Sequence, residues 1–266
     1  MEKLPPPLKW AGGKRWLVPY IQHSWEEHKN SRLVEPFCGG LSVALGLLPK
    51  KALLNDINPH LINFYRWLRQ GMVLTIEMKI SKKVYYEYRE EFNHLIENGQ
   101  ENTQKAAELF YYLNRTCFNG LCRFNKQGKF NVPIGSKTTV NHQANHLTKY
   151  MSVLSNWEFN SGTYLDLKLK NNDFVFADPP YDVVFRNYSK DGFTWKDQEC
   201  LANWLSDHSG PVIVSNSATD RIIALYKKRG YKLHYMKERL YINSTGDRTP
   251  ANVVIATKNV DFRGID

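Results

Sequence analysis

The octapeptide FVFADPPY, at positions 174–181, joins four apolar residues to a stiff polar turn. The apolar run follows Asn171-Asn172-Asp173 and is typical of a buried strand in an open sheet, and ligands bind beyond the carboxyl ends of such strands. Two prolines fix φ near about −65° and remove two backbone donors, so carbonyl oxygens and the Asp178 carboxylate form a rigid set of acceptors. We expect this turn to accept hydrogen bonds from an amino group on a planar ring, with Tyr181 stacking on that ring.

Adenine is a ring of this kind, but the turn alone could equally end a strand over a buried tyrosine. The flanking sequence favours a ligand site because strands and helices alternate there. Residues 32–35 and 52–55 are predicted strands, and Asn58 with Pro59 signals a helix that should run to about Gly71. This alternation predicts a parallel α/β sheet. Its later strands are expected at 174–177, 212–215, 231–236 and 252–257, the last two as an antiparallel edge pair.

The character of the sequence changes from about Ser81. Large apolar residues recur there at helical spacing, and the polar residues 98–102 precede a second predicted helix. Farther on, Lys126-Gln127-Gly128 separates two short runs of strand type, which predicts a β-hairpin with a basic tip that points outward. We therefore expect one domain, formed by 1–75 and 150–266, with a helical insertion at 76–149.

Charge distribution indicates a polyanionic partner. The chain carries a formal net charge of +10, and no Asp or Glu lies between Glu108 and Glu158. Basic residues in that stretch alternate with aromatic ones, a combination that suits phosphates and unstacked bases.

The four cysteines form no CxxC pair, and the N-terminus lacks the apolar core of a signal peptide. We also find no apolar run long enough to cross a bilayer. These features favour a cytoplasmic or nucleoid-associated protein in a reducing compartment.

Two glycine-rich stretches raise the question of nucleotide binding. Gly39 and Gly40 follow the first predicted strand and Asp56 ends the second, as in sites where a carboxylate accepts hydrogen bonds from a ribose. The GxGxxG pattern of nicotinamide cofactors is absent. Gly12-Gly13-Lys14 lacks the remaining residues of a phosphate-binding loop, so ATP hydrolysis is not expected.

Metal-binding patterns are weak. His142 and His146 lie four residues apart without the glutamate or the cysteines of a zinc site, and we interpret them as surface or DNA-facing residues. Glu77-Met78-Lys79 faintly resembles part of a nuclease metal site, but a solvated helix face explains it more simply. No metal is predicted.

Four motifs resemble those of Dam-type DNA N6-adenine methyltransferases, both in their residues and in their order along the chain. In that family the cofactor motifs come first, the target-recognition region lies in the middle and the catalytic tetrapeptide follows. Residues 114–125 and 130–133 resemble the family's DNA-reading hairpin. The four motifs are Lys9-Trp10-Ala11-Gly12-Gly13-Lys14, Glu35-Pro36-Phe37-Cys38-Gly39-Gly40, Asn55-Asp56-Ile57-Asn58 and Asp178-Pro179-Pro180-Tyr181.

The resemblance implies the fold of S-adenosylmethionine-dependent methyltransferases, a Rossmann-like mixed sheet, with residues 76–149 as the DNA-recognition insertion. It implies S-adenosylmethionine as the methyl donor and Asp178, Pro179 and Tyr181 as the catalytic residues. The implied cofactor-binding residues are Trp10, Lys14, Glu35, Phe37, Asp56, Tyr164 and Asp178.

The same resemblance implies double-stranded DNA as the partner, with a monomer as the acting species, and an adenine flipped out of the duplex. GATC is the preferred target, because arginine and lysine suit guanine in the major groove; a longer site that begins with GAT is the alternative. The implied DNA-binding residues are Lys9, Phe118, Asn119, Leu121, Arg123, Asn125 and Pro133.

The chain departs from the family pattern in two places. The common Phe-x-Gly-x-Gly spacing becomes Phe37-Cys38-Gly39-Gly40-Leu41. The Gly-Asp-Phe that often precedes the catalytic strand appears as Gly162-Thr163-Tyr164, which removes a carboxylate that could recognise the cofactor's adenine.

Three other classes of protein stay open at this level. The first is a methyltransferase for RNA or for a protein amide, since planar amides also suit a proline-rigid set of acceptors. The second is a DNA-binding module without activity, and the third is a metal-dependent nuclease. A role in restriction-modification, in a virus or in the regulation of a host is not decided by the sequence.

Overall fold

The computed structural model describes residues 4–136, 147–182, 192–238 and 251–263. Its helices are α1 Val18–Glu27, α2 Ala44–Leu47, α3 Pro59–Arg69, α4 Lys82–Glu97, α5 Gln104–Thr116, α6 Lys149–Leu154, α7 Trp195–Ser206 and α8 Asp220–Lys228. Its strands are β1 Leu33–Glu35, β2 Ala52–Asp56, β3 Trp157–Ser161, β4 Phe174–Ala177, β5 Val212–Ser217, β6 Lys232–Glu238 and β7 Ala251–Lys258. Short 3₁₀ turns lie at Arg15–Leu17, Phe118–Gly120 and Tyr164–Asp166.

The described strands form one sheet in the order β3-β2-β1-β4-β5-β7-β6. The first five strands of that order are parallel, whereas β7 is antiparallel to both of its neighbours. The mixed α/β sheet and the antiparallel pair predicted from the sequence are therefore confirmed. The order 3-2-1-4-5 is that of doubly wound nucleotide-binding folds, in which ligands bind where the strand order reverses, here between β1 and β4.

Alternate residues of each strand enter two different cores, as expected for a sheet covered on both faces. One core joins Leu33, Phe174 and Ile213 to apolar residues of α1, α3, α4 and α5. The other joins Val34, Val175, Val212 and Val214 to apolar residues of α7 and α8. Neighbouring residues of one strand thus point into different cores, on opposite faces of the sheet. This burial fixes the register in which each strand pairs with its neighbours.

The helix predicted after β2 is confirmed as α3. The Asn58 side chain accepts hydrogen bonds from the backbone N–H groups of His60 and Leu61, and Pro59 occupies the first turn. Leu61, Ile62, Tyr65 and Leu68, at helical spacing along α3, are fully buried. The cap places Asp56 directly before the helix, so α3 fixes the chain at the end of β2.

The two helices predicted from about Ser81 onward are confirmed as α4 and α5, and the predicted hairpin is also confirmed. Phe124 and Phe130 form an antiparallel bridge, and the backbone N–H of Asn125 donates to the Lys129 carbonyl over 2.9 Å. Lys126 at the tip is exposed, as expected. The large side chains of α4 and α5 belong to the same core as α3.

Sequence reasoning missed β3, the strand at one edge of the sheet. Its burial alternates, with Trp157 and Phe159 buried and Glu158 exposed, but it directly follows a helix without a glycine or proline between them. His142 and His146 lie outside the described residues. All four cysteines are free. In the described part of the chain, no helix has the length and apolar character needed to span a membrane.

Candidate active site

A cavity of about 460 Å³ lies beyond the carboxyl ends of β1, β2 and β4. This is the switch point of the sheet, and the volume is within the usual range of small-molecule sites, roughly 300–1,000 Å³. Residues from all four sequence motifs meet there. The lining includes Trp10, Gly12, Gly13, Lys14, Glu35, Phe37, Cys38, Gly39, Gly40, Asp56, Ile57, Asp178, Pro179, Pro180 and Tyr181.

The Asp56 carboxylate is held by backbone on both sides. The N–H of Gly39 donates to Oδ2 over 3.1 Å and the N–H of Asn58 donates to Oδ1 over 3.0 Å. Burial raises the pKa of Asp56, while these two hydrogen bonds favour the ionised form and oppose the shift. The carboxylate therefore has a fixed position in the cavity wall.

Two glycines of the turn after β1 are required by the packing of Trp10. A Cβ atom on Gly39 would lie 2.8 Å from Nε1 of Trp10, and one on Gly40 would lie 2.8 Å from Cβ of Trp10. Any side chain at either position would displace the tryptophan. The first motif is thus packed against the second by direct contact of an aromatic ring with bare backbone.

Leu41, where the family pattern has its second glycine, keeps a left-handed backbone with φ of 59°. A leucine is strained in this region, whereas a glycine is not. The side chain of Leu41 is fully buried in the core. The turn therefore keeps the backbone conformation expected for a glycine at position 41, while the leucine adds its side chain to the core.

Asp178 stands at the centre of a polar network. Nζ of Lys14 lies 3.1 Å from its Oδ2, and the Ser215 hydroxyl donates to its Oδ1 over 2.5 Å. The Tyr181 hydroxyl donates to Oγ of Ser215 over 3.3 Å, and Nζ of Lys14 lies 4.8 Å from the centre of the Tyr181 ring. Carboxylate, ammonium and aromatic face are thus arranged within one contiguous group.

Hydrogen bonds from residues outside the cavity lining hold the turn that carries Asp178. Nε2 of Gln198 on α7 donates to the Pro180 carbonyl over 2.8 Å, and the N–H of Asp182 donates to Oδ1 of Asn216 over 3.1 Å. Asp182 is itself buried in an ion pair with Arg221 at the start of α8. Two helices and β5 therefore hold the ends of a segment that the prolines already make stiff.

Glu35 ends β1 beneath the cavity and is only 2% exposed. Its Oε1 has no hydrogen-bond partner among the described residues, while the backbone N–H of Ala44 bonds the carboxyl group. Burial raises the pKa of Glu35 to about 8, the Ala44 hydrogen bond opposes that shift and the negative charge of Asp178 adds to it. A buried carboxyl group, with one oxygen that lacks a partner among the described residues, is thus part of the wall of a cavity that could hold a polar ligand.

The residues predicted to bind DNA lie in two joined segments. Phe118 and Asn119 form an exposed turn, and the N–H of Phe118 donates to the carbonyl of Pro133, itself exposed, over 2.9 Å. Gly120 packs on Lys9, since a Cβ there would lie 2.6 Å from Cβ of Lys9. Nζ of Lys9 in turn donates to the Arg115 carbonyl over 2.8 Å. The N-terminal motif is thereby packed against the base of the hairpin.

On the hairpin, Arg123 is exposed and its guanidinium is held by the opposite strand. Its Nε donates to Oδ1 of Asn131 over 2.8 Å. Oδ1 of Asn125 accepts from the N–H groups of Gln127 and Lys129 and so closes the turn. Leu121 is half-buried against the core at the base of this surface.

The structure thus brings together at the cavity every predicted catalytic residue and every predicted cofactor residue except Tyr164. Tyr164 is packed against Phe37, with ring centres 5.5 Å apart, and against Trp204. Sequence reasoning missed Ser215, Gln198 and Asn131. The polar run Ser215-Asn216-Ser217 after an apolar strand was a usable signal, because the octapeptide at 174–181 has the same form. Within the described residues, no group of three or more His, Cys, Asp or Glu side chains could hold a metal ion.

Comparison with known proteins gives a family match over most of the chain. The family model described as D12 class N6 adenine-specific DNA methyltransferase matches residues 10–242. The retron Ec67 DNA adenine methylase of Escherichia coli is 36% identical over 280 residues, with 97% of this chain and 95% of that protein covered. The DNA adenine methylase of Escherichia coli K12 is 34% identical over 257 residues, with 90% and 89% covered. That of Vibrio cholerae is 33% identical over 258 residues, with 90% of each chain covered.

Proposed function

The chain belongs to the D12 class of N6 adenine-specific DNA methyltransferases, and on that premise we propose that it transfers a methyl group from S-adenosylmethionine to a flipped adenine in duplex DNA, within GATC. The single observation that carries the proposal is the convergence of Asp178, Pro179 and Tyr181 on the cavity that also contains Asp56 and Glu35. Acceptors for a base amino group and acceptors for a nucleoside cofactor therefore share one space.

The hydrogen-bond acceptors of the cavity, as well as its size, suit S-adenosylmethionine. We assign Asp56 to accept from ribose hydroxyls, a role supported by the backbone N–H groups that fix each of its oxygens. Oε1 of Glu35 lacks a partner among the described residues and suits a cationic amino group. Trp10 and Phe37 supply apolar lining, while Tyr164 supports Phe37 from behind. The bound cofactor would supply an electrophilic methyl group on a sulfonium.

For catalysis we assign positioning as the main task of the protein. Adenine N6 is a weak nucleophile because its lone pair is delocalised into the ring. Asp178 and the Pro179 carbonyl would accept hydrogen bonds from the two N6 hydrogens, which favours a pyramidal nitrogen whose lone pair faces the methyl carbon. The N–C bond would form as the S–C bond breaks, which leaves a neutral thioether, and one N6 proton would leave along its hydrogen bond to Asp178 and pass to water. The network of Lys14 and Ser215 around Asp178 supports this role, since it holds the carboxylate in one place.

The target base must leave the duplex to reach this turn. Extrusion of a base costs roughly a few kcal/mol, and stacking on an aromatic ring returns about 1–3 kcal/mol. Tyr181 offers that ring at the cavity. Phe118, 46% exposed at the tip of its turn, and Asn119 beside it are proposed to fill the gap left in the duplex.

Sequence reading is assigned to the surface formed by Lys9, Leu121, Arg123 and Pro133, with Asn125 at the adjoining turn. Exposed Arg123 is held by Asn131, so its donors are pre-oriented for guanine O6 and N7. We propose GATC on this basis. Residues 76–149 would then be the target-recognition insertion in a catalytic domain formed by 1–75 and 150–266, acting as a monomer on DNA in the cytoplasm or nucleoid.

The proposal is tested by incubating the protein with labelled S-adenosylmethionine and a duplex library, then mapping methylated adenines at single-base resolution. We expect label on adenine N6 within GATC and none after Asp178→Ala. Equal methylation of all one-base variants would overturn the target. Near-normal turnover by Asp178→Ala would overturn the assigned catalytic role.

A further inference from the structure

Strand β5 continues past the point where its neighbour β4 ends. The last paired residues are Ala177 and Val214, whereas β5 pairs with β7 as far as Ser217. On the side of β4, residues 215–217 therefore run alongside the catalytic turn, while their other side stays paired with β7. All three are polar, and each makes a hydrogen bond to the segment 178–182.

Ser215 is the one of these residues that reaches the proposed reacting groups. It is fully buried, its hydroxyl donates to Oδ1 of Asp178 over 2.5 Å, and its Oγ accepts from the Tyr181 hydroxyl over 3.3 Å. A carboxylate only accepts, so the one proton of the serine hydroxyl goes to Asp178. The Tyr181 hydroxyl must then donate, and the chain of hydrogen bonds has a single direction.

We propose that Ser215 is a positioning residue for methyl transfer, which sets the acceptor carboxylate of Asp178 and the stacking ring of Tyr181 in one fixed relation. This inference rests on the roles assigned to Asp178 and Tyr181 in the proposed function. Ser215 itself need not touch the substrate or the cofactor.

The neighbours of Ser215 explain how one hydroxyl can position both Asp178 and Tyr181. Lys14 holds Oδ2 of Asp178 and Ser215 holds Oδ1, so the carboxylate is fixed at both oxygens and cannot rotate about its Cβ–Cγ bond without breaking a charge-assisted hydrogen bond. The same serine accepts a hydrogen bond from the Tyr181 hydroxyl and so holds the outer end of that ring. Displacement of a reacting group by about 1 Å can cost about 100-fold in rate, so loss of this hydroxyl should affect the chemical step.

The test compares Ser215→Ala, Ser215→Cys and Ser215→Thr in single-turnover methylation of a duplex, with KM for S-adenosylmethionine measured separately. We expect Ser215→Ala to lower the single-turnover rate by about 10–100-fold while KM for the cofactor stays within about twofold. Ser215→Thr should restore most of the rate because it keeps the hydroxyl. Ser215→Cys, whose thiol is a weak donor of similar size, should fall between them.

Ser24→Ala is the matched control for loss of a buried serine hydroxyl. Ser24 is also fully buried and donates to the Asp261 carbonyl, away from the cavity lining. A purely structural effect would lower the thermal stability of both alanine variants and leave the rate per folded molecule unchanged.

A double-mutant cycle with Tyr181→Phe gives a second readout. That variant keeps the ring and removes the hydroxyl that donates to Ser215. We expect a loss of several-fold in the parent and no further loss in the Ser215→Ala background, because the two hydroxyls act through one chain. Fully additive losses overturn the proposed coupling.

A parental rate in Ser215→Ala, with Asp178→Ala inactive, overturns this inference and leaves the proposed function standing. An active Asp178→Ala overturns the proposed function instead. Should Ser215→Ala fail to fold, Ser215→Cys decides: a rate equal to that of the parent contradicts the positioning role, and a rate below that of Ser215→Thr supports it.

Discussion

Nζ of Lys14 lies 3.1 Å from Oδ2 of Asp178, and the lysine side chain is 4% exposed whereas the aspartate is 20% exposed. The same ammonium donates to the Gly12 carbonyl over 2.7 Å and lies 4.8 Å from the centre of the Tyr181 ring. One cation thus joins the first sequence motif to the last. The N-terminal segment is therefore part of the proposed catalytic centre as well as of the proposed cofactor cavity.

Lys14→Met should lower kcat by about 10–100-fold, because a partly buried carboxylate loses its cation and one of the groups that orient it. Lys83→Met is the matched control, since Lys83 is 85% exposed on α4 and its ammonium lies 3.9 Å from Glu87. Steady-state methylation assays on folded protein measure both. Parental kcat in Lys14→Met contradicts a catalytic role for the pair.

Glu35→Gln should change how stability depends on pH. The folded parent keeps the Glu35 proton up to about pH 8, because burial raises that pKa, whereas the unfolded chain loses the proton near the ordinary value of 4.5. Stability from this group is thus fully present below about pH 4.5 and is lost as the pH rises to about 8. Between these values the parent should lose about 1.4 kcal/mol per pH unit relative to the glutamine variant.

Urea unfolding of both proteins at pH 5, 6 and 7.5 measures this difference, and subtraction removes the effect of Asp56 and other carboxyls common to both. Glu90→Gln, 73% exposed on α4, controls for loss of a carboxyl away from the cavity. The Glu35→Gln protein should also gain less stability on addition of S-adenosylhomocysteine, because the amide keeps an acceptor oxygen but cannot carry the negative charge that would pair with a cationic amino group. A pH-independent difference between parent and variant argues against the raised pKa.

Arg123→Ala should relax specificity at one base pair, with a loss of about 1–3 kcal/mol in discrimination. Lys126→Ala, at the exposed tip of the same hairpin, should instead weaken binding to all duplexes alike and reduce its salt dependence. The measurement is kcat/KM on GATC and on each one-base variant. Equal losses on every duplex in Arg123→Ala would show that this arginine contacts phosphate rather than base.

The parts of the fold that sequence reasoning predicted are those in which local signals agree. The helix cap at Asn58, the apolar run before Asp178 and the hairpin loop at Gly128 each carry a strong local preference, and the structure contains all three. Strand β3 was missed because its position is decided by pairing with β2 over five residue pairs, which is a tertiary effect that local preference does not report.

The residues of the candidate site also fall into those that local sequence predicts and those that depend on tertiary structure. Residues in contiguous motifs, such as Trp10, Asp56 and Asp178, could be assigned from the sequence and do line the cavity. Asn131 lies in a quoted motif and Ser215 opens a polar run, but neither role could be assigned from local sequence, because each residue acts on a partner distant in the chain or across the hairpin. Their roles depend on strand register, which is fixed only when the whole sheet is assembled.

Leu41 permits a test of backbone strain in the turn after β1. Its φ of 59° is left-handed and its side chain is fully buried. Both Leu41→Ala and Leu41→Gly should destabilise the protein by about 2–5 kcal/mol through lost core packing. Gly should nevertheless be the more stable of the two by about 1 kcal/mol, because a left-handed conformation costs any residue with a Cβ about that much.

Leu45 is the matched control, since it is equally buried but lies within helix α2. There the usual order should hold, with Leu45→Ala more stable than Leu45→Gly by about 0.5–1 kcal/mol. Free energies of unfolding in urea for the four variants measure both orders. Because cavity terms are similar for Ala and Gly at each position, a reversed order at 41 alone isolates the backbone term. The same order at both positions would show that the left-handed turn relaxes once the leucine is removed.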